Sequence, residues 1–232
     1  MINLSKRLKC LAQYVPQGSV VADIGTDHGY LPVYLVLQDI CPRVIAADIN
    51  RGPLEAARSN VQQRGVQDKI DLRLGSGLQV LKPGEADVIV IAGMGGGTIR
   101  DIVAASPQVA AQVSRLILQP MADERDLREY LLQRGWRLKD EEMLVEDDRL
   151  YLVLVAERGQ EDVGDPILLE VGPRLVEKKH PLLKRYIHKL EEKYQRVLDG
   201  LQKSSRPTAQ TKAVFIKKKI EQLRELVGKL ES

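Results

Sequence analysis

Asp23, Asp27 and Asp48 are the carboxylates whose spacing carries chemistry in this sequence. The first two belong to Val20-Val21-Ala22-Asp23-Ile24-Gly25-Thr26-Asp27-His28-Gly29, where an apolar, β-branched run ends in an acid and breaks into a glycine-bounded turn. A strand, a tight loop and then a helix open a nucleotide-type α/β site. A dinucleotide site needs a second glycine two residues after the first, so that backbone can approach a pyrophosphate. Asp27 holds that position, and its carboxylate repels phosphate. S-adenosyl-L-methionine has no phosphate, and its sulfonium and amino groups are cationic, so acids near the loop attract it. The pattern D-x-G-x-x-x-G, formed by Asp23, Gly25 and Gly29, therefore favours that cofactor over NAD.

Asp48 ends a second apolar run, where an acid can accept both ribose hydroxyls of a nucleoside. The alternative is an acid placed ahead of a helix opening near Pro53. Ile49 next to it could pack on one face of an adenine. Gly75-Ser76-Gly77 is a second close-approach turn, whose backbone and Ser76 hydroxyl could meet the adenine edge, unless it is an ordinary glycine turn. Ala92-Gly93-Met94-Gly95-Gly96-Gly97 follows the fourth strand, the position of the loop beside a transferred methyl group. Enzymes that methylate exocyclic amino groups usually carry Asn/Asp-Pro-Pro-aromatic there, and this chain does not. A ring nitrogen such as adenine N1 has its own lone pair, so glycines that admit the base suffice and positioning supplies the acceleration. A flexible loop without such a role is the alternative. Tyr30 could stack on a flipped base or be a core aromatic at a helix start. Asp27 could accept a base amino proton or touch the methionine moiety. His28 reads as a hydrogen-bonded structural residue rather than a general base.

The elements that must hold these residues alternate along the chain. Leu4, Leu8, Leu11, Ala12 and Val15 mark an amphipathic N-terminal helix. After the first strand, an apolar helix spans Tyr30–Ile40. Strands follow at Arg43–Ile49, Ile70–Leu74, Asp87–Ile91 and Arg115–Leu118, with helices from Pro53 to Arg64, Thr98–Ala105 and Asp123–Gln133. Such alternation predicts a parallel sheet with helices on both faces. Trp136–Glu146 and Arg149–Glu157 then form two extended segments joined by Asp147-Asp148, a terminal hairpin. The expected fold is α/β: a Rossmann-like class I methyltransferase domain over residues 1–160, whose mostly parallel sheet ends in an antiparallel hairpin. Gly159–Pro166 marks the boundary. Beyond it, Leu183, Ile187, Leu190, Tyr194, Val197 and Leu201 form one heptad seam, and Ala213, Ile216, Ile220, Leu223, Val227 and Leu230 another. With Ser204, Ser205 and Pro207 as loop and cap residues, residues 166–232 predict an antiparallel coiled-coil helical hairpin.

The formal charge of +3 on 232 residues conceals an asymmetry. Residues 1–157 hold 18 basic and 21 acidic side chains, and residues 158–232 hold 17 and 11. The basic excess of the second region points to an anionic macromolecule, with a solvated helical surface as the alternative. Two cysteines without a C-x-x-C argue against a disulfide framework and for a reducing cytoplasm. Three scattered histidines imply no metal site, and no apolar run reaches the length of a membrane span.

Three blocks, Asp23–Pro32, Ile91–Gly96 and Leu116–Pro120, together with the rest of the chain, resemble the bacterial TrmK family of S-adenosylmethionine-dependent methyltransferases acting on N1 of adenosine 22 in tRNA. Two departures are Gly29, where the family also uses Ala, and Ser76, where an acid is frequent. The resemblance implies that Asp23, Gly25, Thr26 and Gly29 form the methionine-side loop, and that Asp48 and Ile49 hold ribose and adenine. Ser76 and Gly77 would close the adenine edge. Ala92 and Gly93 would flank the cofactor, while Asp27, Tyr30 and Met94 place the base. The expected partner is tRNA, held by Lys178, Lys179, Lys184, Arg185, Lys189, Lys217, Lys218 and Lys219 of the hairpin. No membrane and no metal are expected. The protein is read as a monomer, with dimerisation through the seams left open. Methylation of a small molecule or a protein, or RNA binding without catalysis, are the competing functions.

Overall fold

The apolar runs beginning at Val21, Val44, Val88 and Arg115 become neighbouring strands because their residues are buried on both faces of the sheet. In a computed structural model describing residues 3–203 and 206–231, β1 (Val21–Ile24), β2 (Val44–Asp48), β3 (Ile70–Leu74), β4 (Val88–Met94) and β5 (Arg115–Pro120) run parallel. β6 (Trp136–Glu146) and β7 (Arg149–Arg158) complete a seven-stranded sheet of order β3-β2-β1-β4-β5-β7-β6, with β7 antiparallel to both neighbours. Val21, Val44, Val88 and Ile117 are fully buried in its centre. The strand order reverses between β1 and β4, which opens a crevice at the carboxyl ends of those strands.

Seven helices accompany this sheet: α1 (Lys6–Gln13), α2 (Tyr30–Leu37), α3 (Arg51–Gln63), α4 (Gly96–Ala104), α5 (Pro107–Gln112), α6 (Glu124–Gln133) and a 3-10 turn at Gly77–Val80. α2 stops before the expected Ile40. Asp39 turns left-handed at φ +52°, and the Ile40 N–H returns to the Leu35 carbonyl at 2.9 Å, a closing hydrogen bond of the Schellman kind. α3 starts two residues before Pro53, which sits in the first turn where its missing N–H costs nothing. α5 and the 3-10 turn are too short to show a period in the sequence.

The largest departure is at β4. Ala92, Gly93 and Met94 do not form a loop but extend the strand, with a bulge between Ala92 and Met94. Met94 and Gly96 are tied to the end of β5: the Met121 N–H donates to the Met94 carbonyl and the Gly96 N–H to that of Ala122, both at 2.8 Å.

The chain divides into compact units at residues 1–162 and 163–232. The second begins with two short helices absent from the sequence reading, α7 (Ile167–Val171) and α8 (Pro173–Glu177), followed by α9 (Leu183–Gln202) and α10 (Pro207–Glu231). Arg224 pairs with Glu191 at 3.3 Å, while Val197 and Leu201 share a groove with Phe215. Those two pairings, one at each end, make α9 and α10 antiparallel. Ser204 and Ser205 lie outside the described residues. The first seam drifts: Val197 is exposed and Leu198 takes its buried place, because a straight helix gains about 20° per heptad on a 3.5-residue repeat. Buried Glu170 on α7 accepts from the Tyr194 hydroxyl on α9 and from Lys219 on α10, which binds the unit internally.

Both cysteines are thiols in the core, Cys10 on α1 and Cys41 before β2, and burial pushes the Cys41 thiol up to about 11. Among the described residues, no helix is long and apolar enough to cross a membrane.

Candidate active site

The carboxyl ends of β1, β2 and β4 surround a cavity of about 740 Å³, within the roughly 300–1,000 Å³ typical of cofactor sites. Asp23, one residue before the end of β1, is buried and accepts the Thr26 hydroxyl at 2.7 Å. Burial lifts its carboxyl to about 6, against the opposing pull of the Thr26 hydrogen bond and the Arg7 charge. The turn that follows is pinned to β2, since the N–H groups of Gly25 and Thr26 both donate to the Ala47 carbonyl, at 2.8 and 3.0 Å. Gly25 holds φ +78°, a conformation that a side chain rarely tolerates.

Asp48 ends β2 with each carboxylate oxygen facing a backbone amide, Asn50 N at 2.8 Å and Asp27 N at 3.4 Å. Each oxygen keeps further acceptor capacity toward the cavity, enough for a pair of vicinal hydroxyls. Ile49 stands 65% exposed beside it, and Ser76 and Gly77 line the same side. Ala92, Gly93 and Met94 form the opposite wall. At the mouth, Asp27 lies 3.6 Å from the His28 ring, and His28 stacks on Tyr30 with centroids 5.5 Å apart. Tyr30 is 43% exposed, so its ring is not a core aromatic.

Twelve of the thirteen residues expected at the cofactor and the base thus share one cavity. Gly29 does not. It sits at φ +69° ahead of α2, and a Cβ there would press on Ala57 of α3 at 3.1 Å. The missing Cβ lets α2 approach α3.

Two polar groups went unassigned in the sequence. Arg7 on α1 lines the cavity and donates to the Gln119 side-chain oxygen at 3.0 Å. That same oxygen accepts the Gly93 N–H at 3.1 Å, and the Gln119 amide group donates to the Pro120 carbonyl. Gln119 is fully buried. It therefore holds the β4 bulge and a cation in one arrangement. An amide inside the apolar end of β5 was the available signal; Arg7, one basic residue on an amphipathic helix, offered none.

In the second unit, Lys178, Lys179, Lys184, Arg185, Lys189, Lys217 and Lys218 are exposed. Lys219 turns inward instead, paired with Glu170 and 4.9 Å from the Tyr194 ring centroid. Consecutive helical residues step by about 100°, so a trio of lysines cannot stay on one face, and the third rotates toward the seam. Among the described residues, no group of three His, Cys, Asp or Glu is placed to hold a metal ion.

The donor set suits a nucleoside joined to a cationic amino acid: two acids for ribose hydroxyls and a positive group, and a half-buried cation, Arg7, for a carboxylate. A family model described as a methyltransferase domain matches residues 4–154. The chain is 43% identical over 196 residues to the tRNA (adenine(22)-N(1))-methyltransferase of Bacillus subtilis strain 168, covering 82% of each. It is similar to the crystal structure of the B. subtilis M1A22 tRNA methyltransferase TrmK, with TM-score 0.91 and 36% identity over 98% of this chain and all of that one. A structure of M. capricolum TrmK with S-adenosyl-homocysteine matches at TM-score 0.83 and 28% identity, over 97% and 98% of the two chains.

Proposed function

We infer, for a chain that belongs to the TrmK family of tRNA methyltransferases, that its reaction is methylation of N1 of adenosine 22 in tRNA with S-adenosyl-L-methionine as donor. The observation that carries this is the pairing of Asp23 and Asp48 around a cavity walled by the glycine-bearing end of β4, in a chain 43% identical to an enzyme of that name. Bound there, S-adenosylmethionine supplies a methyl group on a cationic sulfur.

The residues divide the work. The Asp23 carboxylate attracts the amino group of the methionine moiety, Arg7 its carboxylate, and Asp48 the ribose hydroxyls. Ile49 covers the adenine, whose edge meets Ser76 and Gly77. Ala92 and Gly93 leave room at the wall, and the Gln119 hydrogen bond keeps the bulge from closing it. On the mouth side, Tyr30 offers a face for the target base and Asp27 an acceptor for its exocyclic amino group. That contact aims N1 inward while Met94 limits its depth. N1 uses its own lone pair, so the chain needs no proton acceptor before attack. Orientation in a dry cleft provides the rate.

Residues 166–232 provide the tRNA-binding part, with Lys178, Lys179, Lys184, Arg185, Lys189, Lys217 and Lys218 on phosphates. The enzyme works in the cytoplasm as a monomer. Incubating it with unmodified tRNA and labelled cofactor, then mapping the product by mass spectrometry, tests the reading. One 1-methyladenosine at position 22 is expected. Label at another nucleotide or another atom overturns it.

A further inference from the structure

The loop end of the α9–α10 hairpin exposes apolar side chains where a stable hairpin has no use for them. Val197, Val214 and Phe215 are 43%, 72% and 64% exposed. Phe215 is the one phenylalanine in the chain. With Leu201 and Ile216 it lines a groove of about 510 Å³, edged by Thr211 and Lys212. Lysine 219 lies 5.4 Å from the centroid of the Phe215 ring, yet most of the ring stays open.

The charge around this groove is one-sided. From residue 193 to residue 219 the sequence holds eight basic side chains and one acid, Asp199; of the eight, Lys219 is paired with the buried Glu170 of α7. Nearer the other end of α10 the signs mix: Glu221, Arg224, Glu225 and Lys229. The hairpin is thus polarised along its length, with the basic, aromatic end at the loop.

An apolar slot inside a basic collar fits a ligand that is flat and apolar on its face and anionic at its edge. A second copy of the chain does not, because two such collars repel. A nucleotide does: its base has a π-face and its phosphates carry the charge. Bases in a duplex already have both faces covered, so the ligand must be unpaired. We propose that the groove at the hairpin's loop end is a stacking site for an unpaired nucleotide of the tRNA substrate, with the base on Phe215 between Val197 and Leu201 and the flanking phosphates on Lys212 and its basic neighbours. This rests on tRNA being the substrate and adds where a single-stranded part of it is gripped, apart from the reacting adenine.

The test uses the full chain. Phe215→Leu keeps apolar volume and removes the π-face. It should weaken tRNA binding and raise the tRNA KM about 5- to 150-fold, the span of base–aromatic stacking, and leave kcat unchanged. The slope of log affinity against log salt should not move, because a stack releases no counterions. Phe215→Trp should restore binding. Its thermal midpoint and that of Phe215→Leu should stay within about 2 °C of wild type, as for surface substitutions. The native Trp136 is buried, so wild type supplies a background out of acrylamide's reach that can be subtracted, and the new indole reports on its own site: tRNA should quench it and shield it from acrylamide.

Wild-type KM in Phe215→Leu, or an unquenched indole with bound tRNA, overturns the proposal and leaves the methylation reading standing. Quenching by anionic phosphatidylglycerol vesicles instead of tRNA, or dissociation of an oligomer in Phe215→Leu with unaltered tRNA binding, overturns it in favour of a lipid or a second copy. Should wild type bind tRNA without methylating adenosine 22, the methylation reading fails, and the binding comparison still decides the stacking site.

Discussion

Asp48 gives one acceptor position of each oxygen to a backbone amide and presents the rest to the cavity, so its removal should be felt by the ligand more than by the fold. Asp48→Ala is expected to weaken S-adenosylmethionine binding by roughly 1.5–3 kcal/mol, the worth of hydrogen bonds to a charged acceptor, as read by titration calorimetry. Asp23 adds a pH dependence. Its carboxyl, raised to about 6 by burial, is neutral below that pH and anionic above it. Only the anion attracts the cofactor's amino group, so binding expels a proton and affinity should rise as pH goes from 5 to 7, then level off. Asp23→Asn should bind weakly and flatten that profile. At this scale the acids stood out because a carboxylate at the end of an apolar strand has few structural uses. Gln119 and Arg7 were not, since their role exists only once β4, β5 and α1 meet.

Among the elements, the end of β4 shows most clearly what a sequence pattern hides. Four glycines read as a loop, yet pairing continues from Ile91 to Met94 because β5 runs alongside to Pro120 and its Gln119 side chain caps the bulge. Gly96 is where glycine is required for space. A Cβ there would meet the carbonyl oxygens of Asp123 and Ala122 at 2.6 and 2.7 Å, both backbone atoms that cannot swing away. Gly96→Ala should cost about 1–3 kcal/mol, the usual penalty of overpacking, visible as a lowered thermal midpoint. It should also lower turnover, by shifting the wall beside the transferred methyl. A midpoint equal to that of wild type would show that the β5–α6 turn yields freely. The helices α7 and α8 escaped notice for a plainer reason: five residues hold too little of a helical period to read.

At the scale of the whole molecule, the cavity and the basic surface fall in different chain segments, the first in residues 1–162 and the second in residues 163–232. A fragment ending at Asp162 contains every residue that lines the cavity. It should fold, bind S-adenosylmethionine with wild-type affinity by calorimetry, and lose at least about tenfold in tRNA affinity, the cost of dropping several phosphate contacts. A fragment that keeps full tRNA affinity would remove the lysines of α9 and α10 from the interface. The alternation of strands and helices made the first unit readable almost in full. Within the second, the heptad seams were readable but not their drift at Leu198, because the mismatch with a 3.5-residue repeat accumulates only over several turns.

The two buried thiols make the enzyme chemically quiet toward air and electrophiles. A thiol is attacked through its thiolate, and Cys41, held near 11, has almost none of that form at neutral pH. Cys10 is shielded inside the same core. Maleimides and mild oxidants should therefore spare turnover as long as the sheet stays folded, and rapid labelling by a coloured disulfide reagent should begin only as it opens. The protein thus carries a built-in alarm for unfolding, and reductant can be left out of its assay.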